Sequence, residues 1–344
     1  MVTMEDIARE LSLSKSTVSK ALSGARDVSH TTRQAVLEKA VELGYSRLPR
    51  CGEPSRIALF LINMDYRKPE DFGYDIVVGF RKAAQSAGFE VEIIDLDRNT
   101  QTSIGYEEYM VLHQYCGALF LGMSLLDPWL KDFETCKTPT ILYDNHISGN
   151  PNVTHIGVDN TEAMGLAVSY LKSLGHTRIG YLSSALEAYV YQMRYHAFFR
   201  AMREHQLPVE DAQAGNSFHV SVCLSEHLPR LLDMGCTAIL CSHDLLAHSV
   251  MIHCAELGLH VPEDISILGF DDIPLCRYTS PALSTIRQDR AAIGKSAFFA
   301  LSNQFHKIPL STFLLHAQLV QRESCACVHT SPDSSPTLIH RPYY

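Results

Sequence analysis

If the segment around them is helical, Lys15, Ser16, Ser19 and Lys20 fall within roughly 140° of arc, at about 100° per residue. Ammonium and hydroxyl groups placed together in this way can donate to phosphate oxygens and to the acceptor edges of base pairs. That is the chemistry of a helix laid in a DNA major groove. The opposite side of the same segment carries Val18, Ala21 and Leu22, an apolar stripe for packing. A solvated face on a small helical bundle is the plainer alternative. A second set of candidates is spread over the rest of the chain: Asn63, Asp65, Asp144, Asn145, His243, Asp244, Asp271 and Asp272 each follow a short apolar run. In doubly wound folds ligands bind beyond the carboxyl ends of the strands. Asp and Asn there are also ordinary turn and cap residues, so each position has two readings.

The elements that would position these groups are legible. Met4, Ile7, Ala8 and Leu11 share a helical face, Ser12-Leu13-Ser14 makes a turn, and Thr31 to Leu43 gives a third helical pattern. Thr3 is placed to cap the first helix, with Asp6 as its capping-box acid. Ser14 and Ser29 can cap the other two, and Gly44 sits where a helix C-terminus needs it. After Arg56 the pattern changes. Strands are expected at Ile57–Ile62, Val91–Ile94, Ala118–Leu121, Thr140–Tyr143, Arg178–Leu182, Ala238–Cys241 and Ile265–Leu268. Helices are expected at Val77–Ala87, Ala163–Leu174, Arg194–Glu204 and Ala247–Leu257. Continuous apolar strands alternating with helices imply parallel sheets covered on both faces. The two groups of strands, divided near Asp159, suggest two doubly wound α/β lobes with a cleft between them.

Charge is partitioned. Residues 1–50 hold eight Lys/Arg against six Asp/Glu, a net +2, so the remainder carries −11 of the total −9. A mildly basic end on an acidic body suits nucleic-acid binding confined to that end, and two copies would be needed to gather enough phosphate contacts. No apolar run reaches transmembrane length, and no charged-then-apolar leader opens the sequence, so a cytoplasmic location is expected. The ten cysteines are scattered, which suits reduced side chains packed as small hydrophobes and no metal site.

The runs Thr3-Met-Glu-Asp-Ile-Ala, Leu13-Ser-Lys-Ser-Thr-Val-Ser-Lys-Ala-Leu22, Val28-Ser-His-Thr-Thr-Arg33 and Leu43-Gly-Tyr45 resemble the helix-turn-helix headpiece of the lactose-repressor (LacI/GalR) family. The likeness continues through Pro139-Thr-Ile-Leu-Tyr-Asp144, Gly157-Val-Asp-Asn160, Leu174-Gly-His-Thr-Arg-Ile179, Val261 to Asp272 and Pro281 to Ile286, as far as Arg322-Glu-Ser324. It implies an all-α headpiece joined to a two-lobed, periplasmic-binding-protein-like effector domain. The implied protein is a dimeric transcriptional regulator, a repressor, that binds double-stranded operator DNA and answers to a small molecule such as a sugar. By resemblance, Lys15, Ser16 and Lys20 contact bases and Ser14, Thr17 and Ser19 contact phosphates, with Thr3 and Ser23 completing the DNA-binding set. Arg194 and Asp271 match the family's effector-binding arginine and its facing carboxylate. Phe218 matches a stacking aromatic, and Asp144 and His243 complete the effector set.

The sequence also departs from the family. Lys20 replaces the usual Arg, Ser23 the usual Asn, and His243 the Asn carried by sugar-responsive members. Relatives place a Leu-containing hinge helix after the headpiece. Here Pro49, Gly52 and Pro54 oppose one, and Leu48 is the only wedge on offer. The expected divisions are therefore a headpiece at 1–46, a short linker at 47–56, the effector and dimerisation domain at 57–328, and a disordered Ser/Pro/Thr-rich tail at 329–344. The two-lobed body alone would also suit a solute-binding protein of a transport system. An enzyme reading finds no Gly-x-Gly-x-x-Gly or Walker loop after any strand and no nucleophile–base pairing. Neither a cofactor nor a membrane partner is expected.

Overall fold

The computed structural model describes residues 2–23, 25, 27–45 and 55–328. Three helices open the chain, α1 (Met4–Glu10), α2 (Lys15–Leu22) and α3 (His30–Leu43). Their boundaries follow from the caps. The Thr3 hydroxyl accepts from the Asp6 amide while the Asp6 carboxylate accepts from the Thr3 amide, closing a capping box. Ser14 and Ser29 accept from the amides of Thr17 and Thr32. Ser12 adopts φ +52° in the turn, and Gly44 ends α3 at φ +70°. Met4, Ile7, Ala8, Val18, Ala21, Leu22, Val36, Leu37 and Ala40 form one small core.

The body contains two six-stranded sheets. The first runs, in spatial order, β11 (Thr312–Leu315), β5 (Val153–Val158), β4 (Thr140–Tyr143), β3 (Tyr115–Leu121), β1 (Ser55–Leu61) and β2 (Phe89–Asp95). The second runs β12 (Gln318–Val320), β10 (Ser284–Arg287), β9 (Ser266–Asp271), β8 (Ala238–Cys241), β6 (Ile179–Ser184) and β7 (Ala214–Ser217). Every pairing is parallel except β10 with β12. The seven expected strands all form, and β5, β7, β10, β11 and β12 are additional. The chain crosses between sheets near Asp159, as the sequence suggests. It also crosses back after β10 and returns again after β11, so the lobes are joined by three strands of chain rather than one.

Helices α4 (Tyr74–Ser86), α5 (Arg98–Ser103) and α6 (Tyr106–His113) belong to the first lobe. Helices α7 (Asn160–Ser173), α8 (Tyr189–Glu204), α9 (Val220–Val222), α10 (Leu228–Asp233) and α11 (Asp244–Glu256) belong to the second. After the second crossing α12 (Arg290–Phe305) returns to pack on the first sheet and on α4. The contact is close. A Cβ on Gly294 would stand 2.0 Å from the Ile76 carbonyl oxygen, and one on Gly79 2.4 Å from that of Ala291. Glycine at both points lets backbone meet backbone and pins the first turn of α12 against α4.

The headpiece rests on the first lobe. Val111 and Leu112 of α6 pack on its core, and Lys137 donates to the carbonyls of Val41 and Glu42 at the end of α3, at 2.8 and 2.7 Å. Of the nine described cysteines, eight are buried and none is disulfide-bonded. Among the described residues no helix is long and apolar enough to cross a membrane, and no cluster of His, Cys, Asp or Glu is arranged to hold a metal. Leu48, Pro49, Gly52 and Pro54 of the linker, and the tail 329–344, lie outside the described residues. Ser55 and Arg56, assigned above to the linker, are the first residues of β1.

Candidate DNA interface and ligand cleft

Helix α2 buries Val18, Ala21 and Leu22 and turns Lys15, Ser16, Ser19 and Lys20 to the surface. The two lysines are paired with acids of the headpiece itself, Lys15 with Glu5 and Lys20 with Asp27. Both pairs are about half exposed, so each contributes little and can yield to phosphate or a base edge. Ser14 and Thr17 hydroxyls bond to each other at 2.8 Å beside the start of α2, where free amides face outward. Ser23 donates back to the Lys20 carbonyl at 3.2 Å, and the Thr3 hydroxyl is held by Asp6. All the proposed contacts but Thr17, which is half-buried, are exposed.

The cleft is built where strands end. Asn63, Asp144 and Asp272 take left-handed φ values of 51°, 52° and 54°, and Asp271 stands at 114°. Asp and Asn tolerate the left-handed region better than other non-glycine residues, but 114° lies outside it and is strained. Arg194, on α8, is 2% exposed. Its Nη1 donates to the Ser242 carbonyl at 2.6 Å and lies 3.7 Å from Asp271 Oδ1, while Nε donates to Asn160 at 3.1 Å. The guanidinium also covers the Phe270 ring at 3.7 Å. Asp271 accepts from the Gln288 amide at 2.7 Å, and Gln288 accepts from the Tyr143 hydroxyl at 3.1 Å. This last bond links the lobes, as does the Leu125 amide donating to the Glu187 carbonyl.

Burial governs the protonation of this group. It pushes the Asp144 carboxyl up to about 6, with Arg194 pulling part of the way back. Asp144 Oδ1 is enclosed without a hydrogen bond. Burial also raises Asp271, against the opposing pull of Arg194 and Gln288. His243 is driven the other way, down to about 4, by burial and by the Arg194 charge. Its Nδ1 accepts from the Leu246 amide at 3.2 Å as the cap of α11, so Nε2 carries the proton toward Ser184 at 2.8 Å.

The structure therefore brings Arg194, Asp271 and Asp144 together, with His243 alongside through Tyr191, 6.0 Å away. Phe218 follows β7, the edge strand of the second sheet, and is 80% exposed, touching only the ring of His219 among described aromatic groups. Three of the other strand-end candidates, Asn145, Asp244 and Asp272, are held in structural bonds. Asn145 is buried and bonded to Met123 and His146. Asp244 accepts from Thr285 and from the Ile273 amide. Asp272 holds Arg287 and Arg322. Gln288, Asn160 and Tyr143 were not singled out from sequence. Recognising β10 and β5 as strands would have flagged Gln288 and Asn160, since both stand just beyond strand ends. Beside Asn160 a cavity of about 350 Å³ opens between β5 and α8, walled by His146, His155 and Tyr189.

Residues 3–47 match the family described as bacterial regulatory proteins, lacI family, and residues 168–325 match a periplasmic binding protein-like domain. The HTH-type transcriptional regulator MalR of Streptomyces coelicolor is 30% identical over 335 residues, covering 94% of this chain and 96% of the relative. The chain belongs to the LacI family. Among other LacI-family relatives, the HTH-type transcriptional repressor CytR of Escherichia coli is 29% identical over 330 residues, again covering 94% and 96%. Solved structures agree in fold. A transcriptional regulator CelR–cellobiose complex aligns with a TM-score of 0.66 at 20% identity, over 94% of this chain and all of that one. The lac repressor dimer bound to operator and the anti-inducer ONPF aligns at 0.64 and 22%, over 94% and 99%. The LacI-type helix-turn-helix and the two-sheet effector body are thus both present.

Proposed function

We propose that this LacI-family regulator is a homodimeric repressor that binds a near-palindromic operator through α2 and is controlled by a small molecule seated between its lobes. The observation that carries the reading is the exposed Lys15/Ser16/Ser19/Lys20 face on a capped, packed α2. A solute-binding protein has no use for such a face. Lys15, Ser16 and Lys20 supply base contacts, with Ser14, Thr17 and Ser19 at the phosphates and Thr3 and Ser23 at the margins. Lys20 donates to guanine as a point charge rather than a planar fork.

In the cleft, Arg194 and Asp271 form the polar clamp and Asp144 accepts from ligand hydroxyls. His243 acts from its capped position, and Phe218 is the exposed aromatic available to cover the ligand when the lobes close. Leu245 and Ile252 expose one face of α11, at i and i+7, and supply the dimer contact. Selection from random duplexes with the purified protein tests the reading. A recurring two-fold sequence that the protein prefers over random DNA is expected. Binding that is indifferent to sequence would sink it.

A further inference from the structure

Arg290 opens α12 where the chain crosses from the second lobe back to the first. Its side chain is 8% exposed, yet Nε and Nη1 have no hydrogen-bond partner in the fold. Nη2 reaches Asp75 only at 3.5 Å, the outer limit of a hydrogen bond, and Asp75 is itself 45% exposed. The contrast with Arg194 is plain, since Arg194 is spent on Asn160, Ser242, Asp271 and Phe270. A buried guanidinium with unmet donors is costly to keep. The fold nevertheless fixes it there, because Gly79 and Gly294 clamp the first turn of α12 against α4.

Its surroundings place it on the cleft wall. The guanidinium lies 5.4 Å from the centroid of Phe72, on the loop leaving β1. Phe72 packs against Tyr143 at 6.5 Å, Tyr143 donates to Gln288, and Gln288 holds Asp271. Arg290, at the start of α12 on the first lobe, thus lies within electrostatic reach of Asp271, whose ionised form its charge favours. The same cleft holds an unmet acceptor, Asp144 Oδ1.

We propose that Arg290 receives an oxyanion of the effector, so that the molecule this regulator senses is an acidic polyol, a sugar phosphate or a sugar acid. The ligand's hydroxyls donate to Asp144 and Asp271 while its charged group meets the unused N–H groups of Arg290. Asp75, weakly held and half exposed, turns to solvent as the anion enters. This inference rests on the reading of the cleft as the effector site.

Thermal unfolding and calorimetry of the full-length protein test it, with matched probes: glucose, gluconate and glucose 6-phosphate, ribose and ribose 5-phosphate, and inorganic phosphate alone. At least one acid should raise Tm where its neutral parent does not, and Arg290→Gln should weaken that acid tenfold or more. The carboxylate and phosphate arms tell which oxyanion is used. Without ligand, Arg290→Met should unfold at the same temperature as the wild type or higher, since it removes a buried, unmet charge. The proposal is overturned if a neutral probe binds as tightly as its acid, if no acid binds, or if Arg290→Gln keeps full affinity. Inorganic phosphate matching the sugar phosphates, or a lower Tm for ligand-free Arg290→Met, overturns it as well. Operator binding by the wild-type protein is measured in parallel. Its absence would count against the regulator reading, whereas a preference for neutral probes counts only against the acidic ligand.

Discussion

Lys20 and Asp144 are single residues on which opposite halves of the function turn. Lys20 is held by Asp27 at the surface, in a pair too exposed to be worth much, so its loss leaves the headpiece folded. Lys20→Ala should therefore cost operator binding about 1–3 kcal/mol at the base pair it reads and relax specificity there, as anisotropy titrations on single-base operator variants will show. An equal loss on operator and random DNA would make it a phosphate contact. Asp144 is the reverse case, a carboxyl whose burial raises it from 3.8 to about 6. A raised acid contributes stability below its unfolded value and loses it as pH climbs through the folded one. Asp144→Asn should accordingly match the wild type near pH 4 and gain on it between pH 5 and 8. The gain is at most about 3 kcal/mol, because each tenfold change in acid strength is worth about 1.4 kcal/mol. Denaturant melts across that range check it, and a pH-independent difference would contradict it.

The reach of the sequence is best judged element by element. The headpiece helices were legible because capping residues and apolar stripes sit in a few adjacent turns, and the seven apolar strands were legible for the same local reason. The missed strands hide their signal in tertiary partners. In β5, Thr154 and His155 interrupt the apolar run, and burying Thr154 depends on its bond to the Leu310 carbonyl. In β10, Ser284 and Thr285 are fully buried because the Arg322 amide donates to the Ser284 hydroxyl and Asp244 accepts from that of Thr285. β7 reads Ala-Gly-Asn-Ser and has almost no apolar content. Missing β10 also hid Gln288 and Arg290, whereas Arg194 and Asp271 were reached through family resemblance. One prediction belongs to this scale. In an isolated helix Gly294→Ala would gain up to about 1 kcal/mol. In α12 the new methyl meets the Ile76 carbonyl at 2.0 Å, a backbone atom that cannot swing away. The substitution should therefore destabilise the protein by about 1–3 kcal/mol, the usual cost of overpacking. A rise in Tm would mean that the α4–α12 contact is looser than it stands here.

Taken whole, the molecule sets a first fifty residues of net +2, headpiece and start of the linker together, on a remainder of −11, so it has few cations with which to hold DNA. Each neutralised phosphate contributes about −0.9 to the slope of log affinity against log salt. A single headpiece of this charge should give a shallow slope and weak binding, and a symmetric pair should double the first and multiply the second through effective concentration. The pairing surface proposed is the α11 face, where Leu245 and Ile252 are 59% and 50% exposed. Replacing both with Asp puts two charges on a face that must lose water on association, without touching the lobes' cores. Sedimentation should then show a monomer that melts as the wild type does. Anisotropy between 50 and 300 mM salt should show about half the wild-type slope and an affinity lower by about 10²–10⁴. If the double variant stays dimeric, the pairing face lies elsewhere. If it is monomeric yet keeps the full slope, one headpiece makes every phosphate contact, and its modest charge must be supplemented from the body.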